Sequence, residues 1–388
     1  MSARRIYPSR ESDGYFLGVM LILKDSTRYH LLELTALCGE FPADQLYRLI
    51  PSSSYAEKVI TQLKSEKLLR VHYRDKLRGY RLTKRSKEYL LQEAPKRFAL
   101  YLTGNADTNQ IRSEKSRRLR LHLRAEGYLT LLHAGIPVFP DEKPDLFLPG
   151  YKTGIWNTRS YPLFYSAREI KRLGDDTTKI RNSRCMGIVL TSECVFAIYN
   201  TGNALMKWEY RTEIRVNAFL QQYLSGNPYP GIPKVRAIML GRDMDMAYRL
   251  LTSTGGHKKA FFSLDTSYEH FHYVPNTPEG ELLLKVLCSP LLQKRLNQLL
   301  RSDLLPPDRQ LAIEHDALTS EKDVVLFAYD FDMLRINKFN TALKLFGRRG
   351  VLIAFDFQLP VLKAFLGEDL QYSSIDLLKF KRGFLHGP

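Results

Sequence analysis

The chain has 388 residues, 44% of them hydrophobic and 26% charged, which gives material for two or three cored domains and excludes wholesale disorder. Its 58 lysines and arginines against 41 acids leave a formal charge of +17, and residues 1–135 alone carry 25 basic and 14 acidic side chains, so the excess marks a polyanion-facing module in the N-terminal third rather than a uniformly basic surface. No apolar run reaches the roughly 18 residues a spanning helix needs, and Cys38, Cys185, Cys194 and Cys288 show no metal-ligand spacing, so the expectation is a soluble cytoplasmic protein with reduced thiols and no membrane partner.

In chain order, residues 1–14 read as a polar arm whose Arg4, Arg5 and Arg10 are placed to follow a nucleic-acid backbone. YFLGVMLILK is a first buried segment, and RYHLLELTALCGE a helix that turns Leu31, Leu34, Thr35 and Cys38 inward and stops at Gly39. FPADQLYRLIP is a short helix between prolines. Ser54 and Glu57 have the spacing of a capping box, and in the helix they open Ala56, Val59, Ile60 and Leu63 repeat at core spacing while Tyr55, Lys58 and Gln62 point away. LLRVHY and GYRLT alternate as strands around the basic tip RDKLR. From 58 to 87 there are eleven lysines or arginines and two acids, Glu66 and Asp75. Three helices and then a basic ribbon is the order of a winged helix-turn-helix, predicted over 15–95. Its expected DNA contacts are Ser54, Tyr55, Lys58, Gln62, Lys64 and Arg70 on and after the recognition helix, with Arg74, Lys76 and Arg78 on the wing.

A helix over TKRSKEYLLQ should end at Pro95, with a linker over 96–106. The spacing then predicts one long helix over 107–134, in which Leu121, Ala125, Tyr128 and Leu132 form an apolar stripe and Arg117, Arg120 and Arg124 a basic face that adds to the DNA-binding set. Residues 96–150 are thus a basic helical connector closed by a proline-rich loop, in which PDEKPD is read as a turn and not as chemistry. From 151 to 388 strands alternate with helices, giving a mixed α/β domain. In KWEYRTEIRVNAFLQQYL the expected inward residues are Ile214, Ala218 and Leu220.

Chemistry is harder to place. DVVLFAYD and GVLIAFD each end in an aspartate, Asp330 and Asp356, which could share a magnesium ion with Asp332 or Asp265; the competing reading is a helix cap, as Asp332 before MLRINKF. The strands at 186–190 and 194–200, followed by a helix, have the order of a restriction-endonuclease-like core, but the positions that would carry its acids and lysine are apolar from Gly187 to Leu190 and from Val195 to Tyr199. Lys207, Glu209 and Glu213 follow the strands and would have to migrate to rebuild such a site. His270 and His272 form a lone H-x-H, and no phosphate loop or nucleophile elbow occurs. No catalytic residue, metal ligand or cofactor is assigned.

GYRLTKRSKEYL, RSEKSRRLRLHLRAEGYLTLL, FYSAREIKRLG and YNTGNALMKWEYRTEIR together resemble the replication-relaxation family of proteins carried by mobile and conjugative elements of Firmicutes. The resemblance implies a winged helix joined to a nuclease-like α/β domain, serving plasmid replication and DNA relaxation. The expectation is therefore a sequence-directed, double-stranded DNA-binding protein that regulates or initiates replication or transfer of such an element. A homodimer, or a protein of the replication, transfer or defence machinery, is a further candidate partner. The alternatives are a metal-dependent nuclease or nickase, and a protein-binding inhibitor of a nucleic-acid machine.

Overall fold

The computed structural model describes residues 15–16, 19–20, 22–148, 161–174, 183–226, 233–256 and 260–385. The arm carrying Arg4, Arg5 and Arg10, parts of the first apolar segment and residues 257–259 lie outside the described residues. The chain divides into two compact units, Met1–Ala125 and Glu126–Pro388, and it is a mixed α/β protein.

Unit 1 opens with β1 (Tyr15–Phe16) paired antiparallel to β2 (Val19–Met20). Helix α1 (Thr27–Cys38) is capped by the Ser26 hydroxyl, which accepts from Tyr29 N, and ends at Gly39 with φ 84°, a conformation other residues avoid. Its Leu31, Leu34, Thr35 and Cys38 are buried as expected. Strand β3 (Glu40–Pro42), a single 3-10 turn, α2 (Leu46–Leu49) and α3 (Ser53–Ser65) follow. Then come β4 (Leu69–Arg74), β5 (Leu77–Leu82), α4 (Lys84–Glu93), α5 (Pro95–Leu102) and α6 (Lys115–His133), the last running past the division between the units. The three strands form an antiparallel sheet in the order β3-β5-β4.

Three local expectations are corrected here. Helix α3 starts two residues earlier than the Ser54–Glu57 box requires: Ser52 is the N-cap and accepts from Tyr55 N, so the serine run offers several caps and the first one wins. Helix α4 ends at Glu93, ahead of Pro95 as expected, but the linker expected over 96–106 opens as helix α5, with Pro95 at the first helical position, where its missing N–H costs nothing. The long helix starts at Lys115 and not near 107: Thr108 Oγ1 donates to Tyr101 O (2.5 Å) and Asn109 Nδ2 to Gly104 O (3.0 Å), side-chain bonds that compete with helix.

Unit 2 contains β6 (Leu163–Ser166), α7 (Ala167–Ile170), β7 (Gly187–Leu190), β8 (Val195–Gly202), α8 (Tyr210–Gly226), β9 (Val235–Gly241), α9 (Met244–Leu251) and β10 (Phe271–Pro275). These strands form one sheet in the order β10-β9-β8-β7-β6, antiparallel from β6 to β8 and parallel from β8 to β10. After α10 (Pro278–Leu287) and α11 (Pro290–Leu300), a second sheet is built from β11 (Ala317–Leu318), β12 (Val324–Phe327), β13 (Gly350–Phe355) and β14 (Gln371–Ile375). Helix α12 (Met333–Phe346) follows β12, α13 (Leu359–Leu366) follows β13, and α14 (Leu377–Phe380) follows β14. One hydrophobic core runs beneath both sheets, from Leu163 and Val195 to Leu352 and Leu362.

The stretch after β12 stitches the sheets together. Tyr273 N donates to Phe331 O (3.0 Å), and Phe271 N to Asp332 Oδ1 (3.2 Å). Helix α8 is phased differently from expectation. Thr212, Glu213, Val216, Leu220 and Leu224 are buried, while Ile214 is 38% exposed and Ala218 faces out. A glutamate takes a core position because Tyr199 Oη (2.5 Å) and Ser183 Oγ (3.0 Å) donate to its carboxylate, a partnership that hydropathy spacing does not encode.

Beyond β10 the chain turns so tightly into α10 that a Cβ on Gly280 would sit 1.8 Å from the Pro275 carbonyl oxygen. Backbone cannot yield as a side chain can, so Gly280→Ala should destabilise the protein by about 3 kcal/mol or more, read as a lowered urea midpoint at unchanged slope.

Candidate nucleic-acid interface and a histidine–aspartate cluster

The hairpin of β4 and β5 is closed by only two residues, Asp75 and Lys76, because Arg74 pairs with Leu77. Both have positive φ, 54° and 60°, the sense of twist that two-residue hairpins favour. The tip projects Arg74, Lys76 and Arg78, all exposed, with Tyr73 at 69% exposure behind them. On α3, Ala56, Val59, Ile60 and Leu63 are buried as the spacing requires, while Ser54, Tyr55, Lys58 and Lys64 are exposed and Gln62 is half-buried. Arg70 is exposed on β4. The predicted recognition face and ribbon therefore both present their cations outward.

The hairpin is held from below by a carboxylate with no exposure at all. Glu40, at the start of β3, lies opposite Arg81 in the sheet register. Arg81 Nε donates to Glu40 Oε2 (2.8 Å) and Arg118 Nη2, from α6, donates to Oε1 (2.5 Å), with His122 Nε2 at 2.9 Å from the same oxygen. Arg118 also donates from Nη1 to Arg74 O (2.7 Å) and from Nη2 to Leu77 O (3.0 Å), gripping both shoulders of the two-residue tip. Burial alone would raise the Glu40 carboxyl, but the hydrogen bonds from His122, Arg118 and Arg81 outweigh it and hold it well below the usual carboxylate range. The sheet can close over this carboxylate only because residue 79 lacks a side chain: a Cβ there would meet Glu40 Oε1 at 2.4 Å.

Arg118 was absent from the predicted contacts, and it is completely buried. Its position was legible in one respect, since 118 precedes 121, 125, 128 and 132 by 3, 7, 10 and 14 and so heads their inward stripe. Its charge hid it. The neighbouring arginines that were predicted lie elsewhere on the helix. Arg117 Nε donates to Glu114 (2.9 Å), Arg124 Nη2 to Asp107 (2.9 Å) and Arg120 Nε to Ser116 O (3.4 Å). With Arg112, these three line a polar cleft of about 480 Å³. Arg81, counted among the eleven cations of 58–87, is removed from the surface by Glu40, and Lys87 Nζ is bound to Asn109.

The two aspartates at strand ends have different partners, and Asp330 Oδ1 accepts from Asp332 N (3.3 Å). Asp356 is exposed and accepts from Phe357 N (2.8 Å) and Leu377 N (3.5 Å). Asp265 accepts from Trp208 Nε1 (2.6 Å) and Ser267 Oγ (2.5 Å). Asp332 is the N-cap of α12, accepting from Leu334 N (3.1 Å), as the cap reading expects. It does more than cap: His270 Nδ1 lies 2.5 Å from its Oδ2, and Asp332, His270 and His272 present donor atoms within 4.8 Å of one another. The H-x-H spacing and the aspartates after β12 were separate signals in the sequence, and nothing local joined them, since Asp332 arrives from 60 residues away.

The positions where a restriction-type nuclease carries its acids and lysine, Gly187–Leu190 and Val195–Tyr199, are apolar and wholly buried. Glu209 and Lys207 are exposed, whereas Glu213 is buried against β8, its carboxylate accepting from Tyr199 Oη on that strand and from Ser183 Oγ. In PDEKPD, Pro140–Glu142 form a 3-10 turn and Lys143 is buried, its Nζ 3.1 Å from Glu169. Among the described residues the cysteines are free, and no helix is long and apolar enough to cross a membrane. No family model, curated protein or solved structure matches the chain.

Removing Arg118 strands a buried carboxylate with one arginine and frees both hairpin shoulders. Arg118→Ala should cost about 3–5 kcal/mol of stability, and Arg118→Lys should recover little of it, because an ammonium cannot serve the carboxylate and two carbonyls in one plane. Arg117→Ala, on the exposed side, should stay within about 0.5 kcal/mol; chemical denaturation of the three variants separates the cases. Because the folded Glu40 carboxyl is held low, its stabilising share is fully present above the unfolded glutamate value of about 4.3 and is lost as pH falls below it. The melting temperature of Glu40→Gln should accordingly fall less steeply than the native one between about pH 5 and pH 3, measured by circular dichroism.

Proposed function

We propose that the chain is a double-stranded DNA-binding protein whose N-terminal unit acts as a winged helix. The observation that carries this reading is the exposed basic pair of elements on one small sheet-and-helix unit: α3 with Tyr55, Lys58 and Lys64 outward, and the two-residue hairpin tip with Arg74, Lys76 and Arg78 outward. In this reading α3 enters the major groove, where Lys58 and Gln62 meet base edges, and the hairpin grips phosphate beside it. The hairpin shoulders pinned by Arg118 support the assignment, since a phosphate grip gains affinity when its backbone is already in place. The arginine-lined cleft of α6 adds a second surface for backbone phosphate.

For unit 2 the antiparallel β6-β7-β8 followed by α8 and a parallel β9 supports a restriction-endonuclease-like core, and the apolar strands β7 and β8 favour a degenerate one. The stretches that resemble the replication-relaxation family support, in this proposal, a role in control or initiation of replication or transfer of a mobile element. Fold likeness says little about activity, and cleavage is not part of the reading.

Fluorescence anisotropy with a labelled duplex tests it. Binding should weaken steeply with salt, and Arg74→Ala, Lys76→Ala and Arg78→Ala together should lower the slope of log K against log salt by about 2–3, near 0.9 for each lost phosphate contact. Lys58→Ala should instead narrow the gap between preferred and random duplexes by about 1–3 kcal/mol. Salt-independent binding, or none, defeats the proposal.

A further inference from the structure

We propose that His270, His272 and Asp332 form a binding site for one divalent transition-metal ion, with zinc the best fit to two imidazoles and a carboxylate. Nothing in the DNA-binding reading requires it. Two residues apart at the head of β10, the histidines lie on the same side of the strand, and their rings stack at 17° with centroids 5.9 Å apart. Donor atoms of the three residues lie within 4.8 Å of one another, close enough for a modest inward movement to reach zinc–nitrogen and zinc–oxygen distances of about 2.0–2.2 Å.

The third donor is aimed by features that owe nothing to a metal. Asp332 Oδ1 accepts from Phe271 N (3.2 Å) and Leu334 N (3.1 Å), so the carboxylate orientation is set by β10 and by the start of α12. The other oxygen, Oδ2, is thereby turned toward His270 Nδ1. Phe331, the residue before, is fully buried with φ 45°, a left-handed conformation that a bulky side chain rarely adopts and that packing must hold in place. The strained residue is what lets Asp330 and Asp332 flank it on the same edge of β10. Strain of this kind gathers where a site is being shaped.

His272 supplies the independent sign of a ligand. Its side chain is 1% exposed, its Nδ1 lies 3.1 Å from the Asp330 carbonyl, and its Nε2 has no hydrogen-bond partner. Buried polar atoms are nearly always satisfied, so hydrogen bonding alone does not account for an imidazole at this depth. His270, at 25% side-chain exposure, and Asp330, at 21%, leave the cluster an entrance from solvent. Three protein donors and an open position are the arrangement in which zinc keeps a water or takes a fourth ligand, and the Asp330 carbonyl, by taking the His272 Nδ1 proton, leaves Nε2 as the nitrogen that an ion would use. An ion held here would fasten the stretch after β12 to β10, and with it one sheet to the other.

The test is isothermal titration of zinc chloride into the untagged full-length chain after chelator treatment, paired with thermal melts with and without zinc. The expected result is one ion per chain and a zinc-dependent rise in melting temperature. Asp332→Asn keeps a competent helix cap, since asparagine caps as well as aspartate, and His270→Gln alters a partly exposed ring; both should fold. Each should weaken zinc by more than the roughly 10–100-fold typical of losing an outer-shell partner and abolish the zinc-dependent shift. Absence of stoichiometric binding overturns the proposal. So does binding that survives both variants unchanged, which would put the ion elsewhere, and so does a loss of stability in both variants that zinc never influenced in the native chain, which would make the cluster a hydrogen-bonded latch.

Discussion

Glu40 is the point on which the N-terminal unit depends. Its carboxylate is fully buried, and such a group is tolerated only when its lone pairs are met. Here two arginines and a histidine meet them, drawn from β5 and from two turns of α6. The two guanidinium groups outnumber the one carboxylate, so the second cation needs other acceptors, and it finds them in the backbone carbonyls of Arg74 and Leu77. A small strand, a hairpin and a helix far along the chain are thus locked by one set of directional bonds. Buried ion pairs are poor sources of net stability compared with hydrophobic contacts, but they penalise wrong arrangements heavily. The position of the hairpin tip is set by this penalty.

The surface consequence is a division of labour among residues that look alike in the sequence. Arg81 and Arg118 are structural cations, neutralised from within, whereas Lys76 and Arg78 sit exposed on the hairpin they support, beside an Arg74 whose Nε lies 3.7 Å from Asp75 Oδ2. Between these extremes Arg117 and Arg124 each have an acidic neighbour, so their fields are partly cancelled before any polyanion approaches. Net charge over a segment therefore overstates what a binding partner would meet, and the number of exposed, uncompensated cations is the more physical quantity.

How much of this was readable without coordinates follows from the range of the interactions involved. The inward faces of α1 and α3, the hairpin with its basic tip, and the alternation of strands and helices after 160 are local patterns of period 3.6 or 2, and they were legible. The caps at Gly39 and Asp332 were legible in position, whereas Ser52 takes the place expected of Ser54. What escaped were polar groups buried by partners distant in sequence: Glu40 with Arg118, 78 residues apart, Glu213 with Tyr199, and His270 with Asp332, 62 residues apart. Periodicity assigns a charged residue to the surface by default, and only the folded chain brings up the partner that reverses the assignment. Glu213 misled the phase of α8 for this reason.

The segment through Phe331 and Asp332 has a meaning beyond holding two sheets together. Strand β10 is the last strand of its sheet, and an unguarded last strand offers a row of free N–H and C=O groups to any other extended chain. Here Phe331 O takes the Tyr273 amide and the Asp332 carboxylate takes the Phe271 amide, so that row is already occupied. At the opposite border, Phe164 N of β6 donates to Pro137 O (3.4 Å). Both borders of the central sheet are thereby engaged by the chain's own irregular segments, and a lesion that loosened the turn at Phe331 would be felt first as self-association between molecules, before any loss of the fold itself.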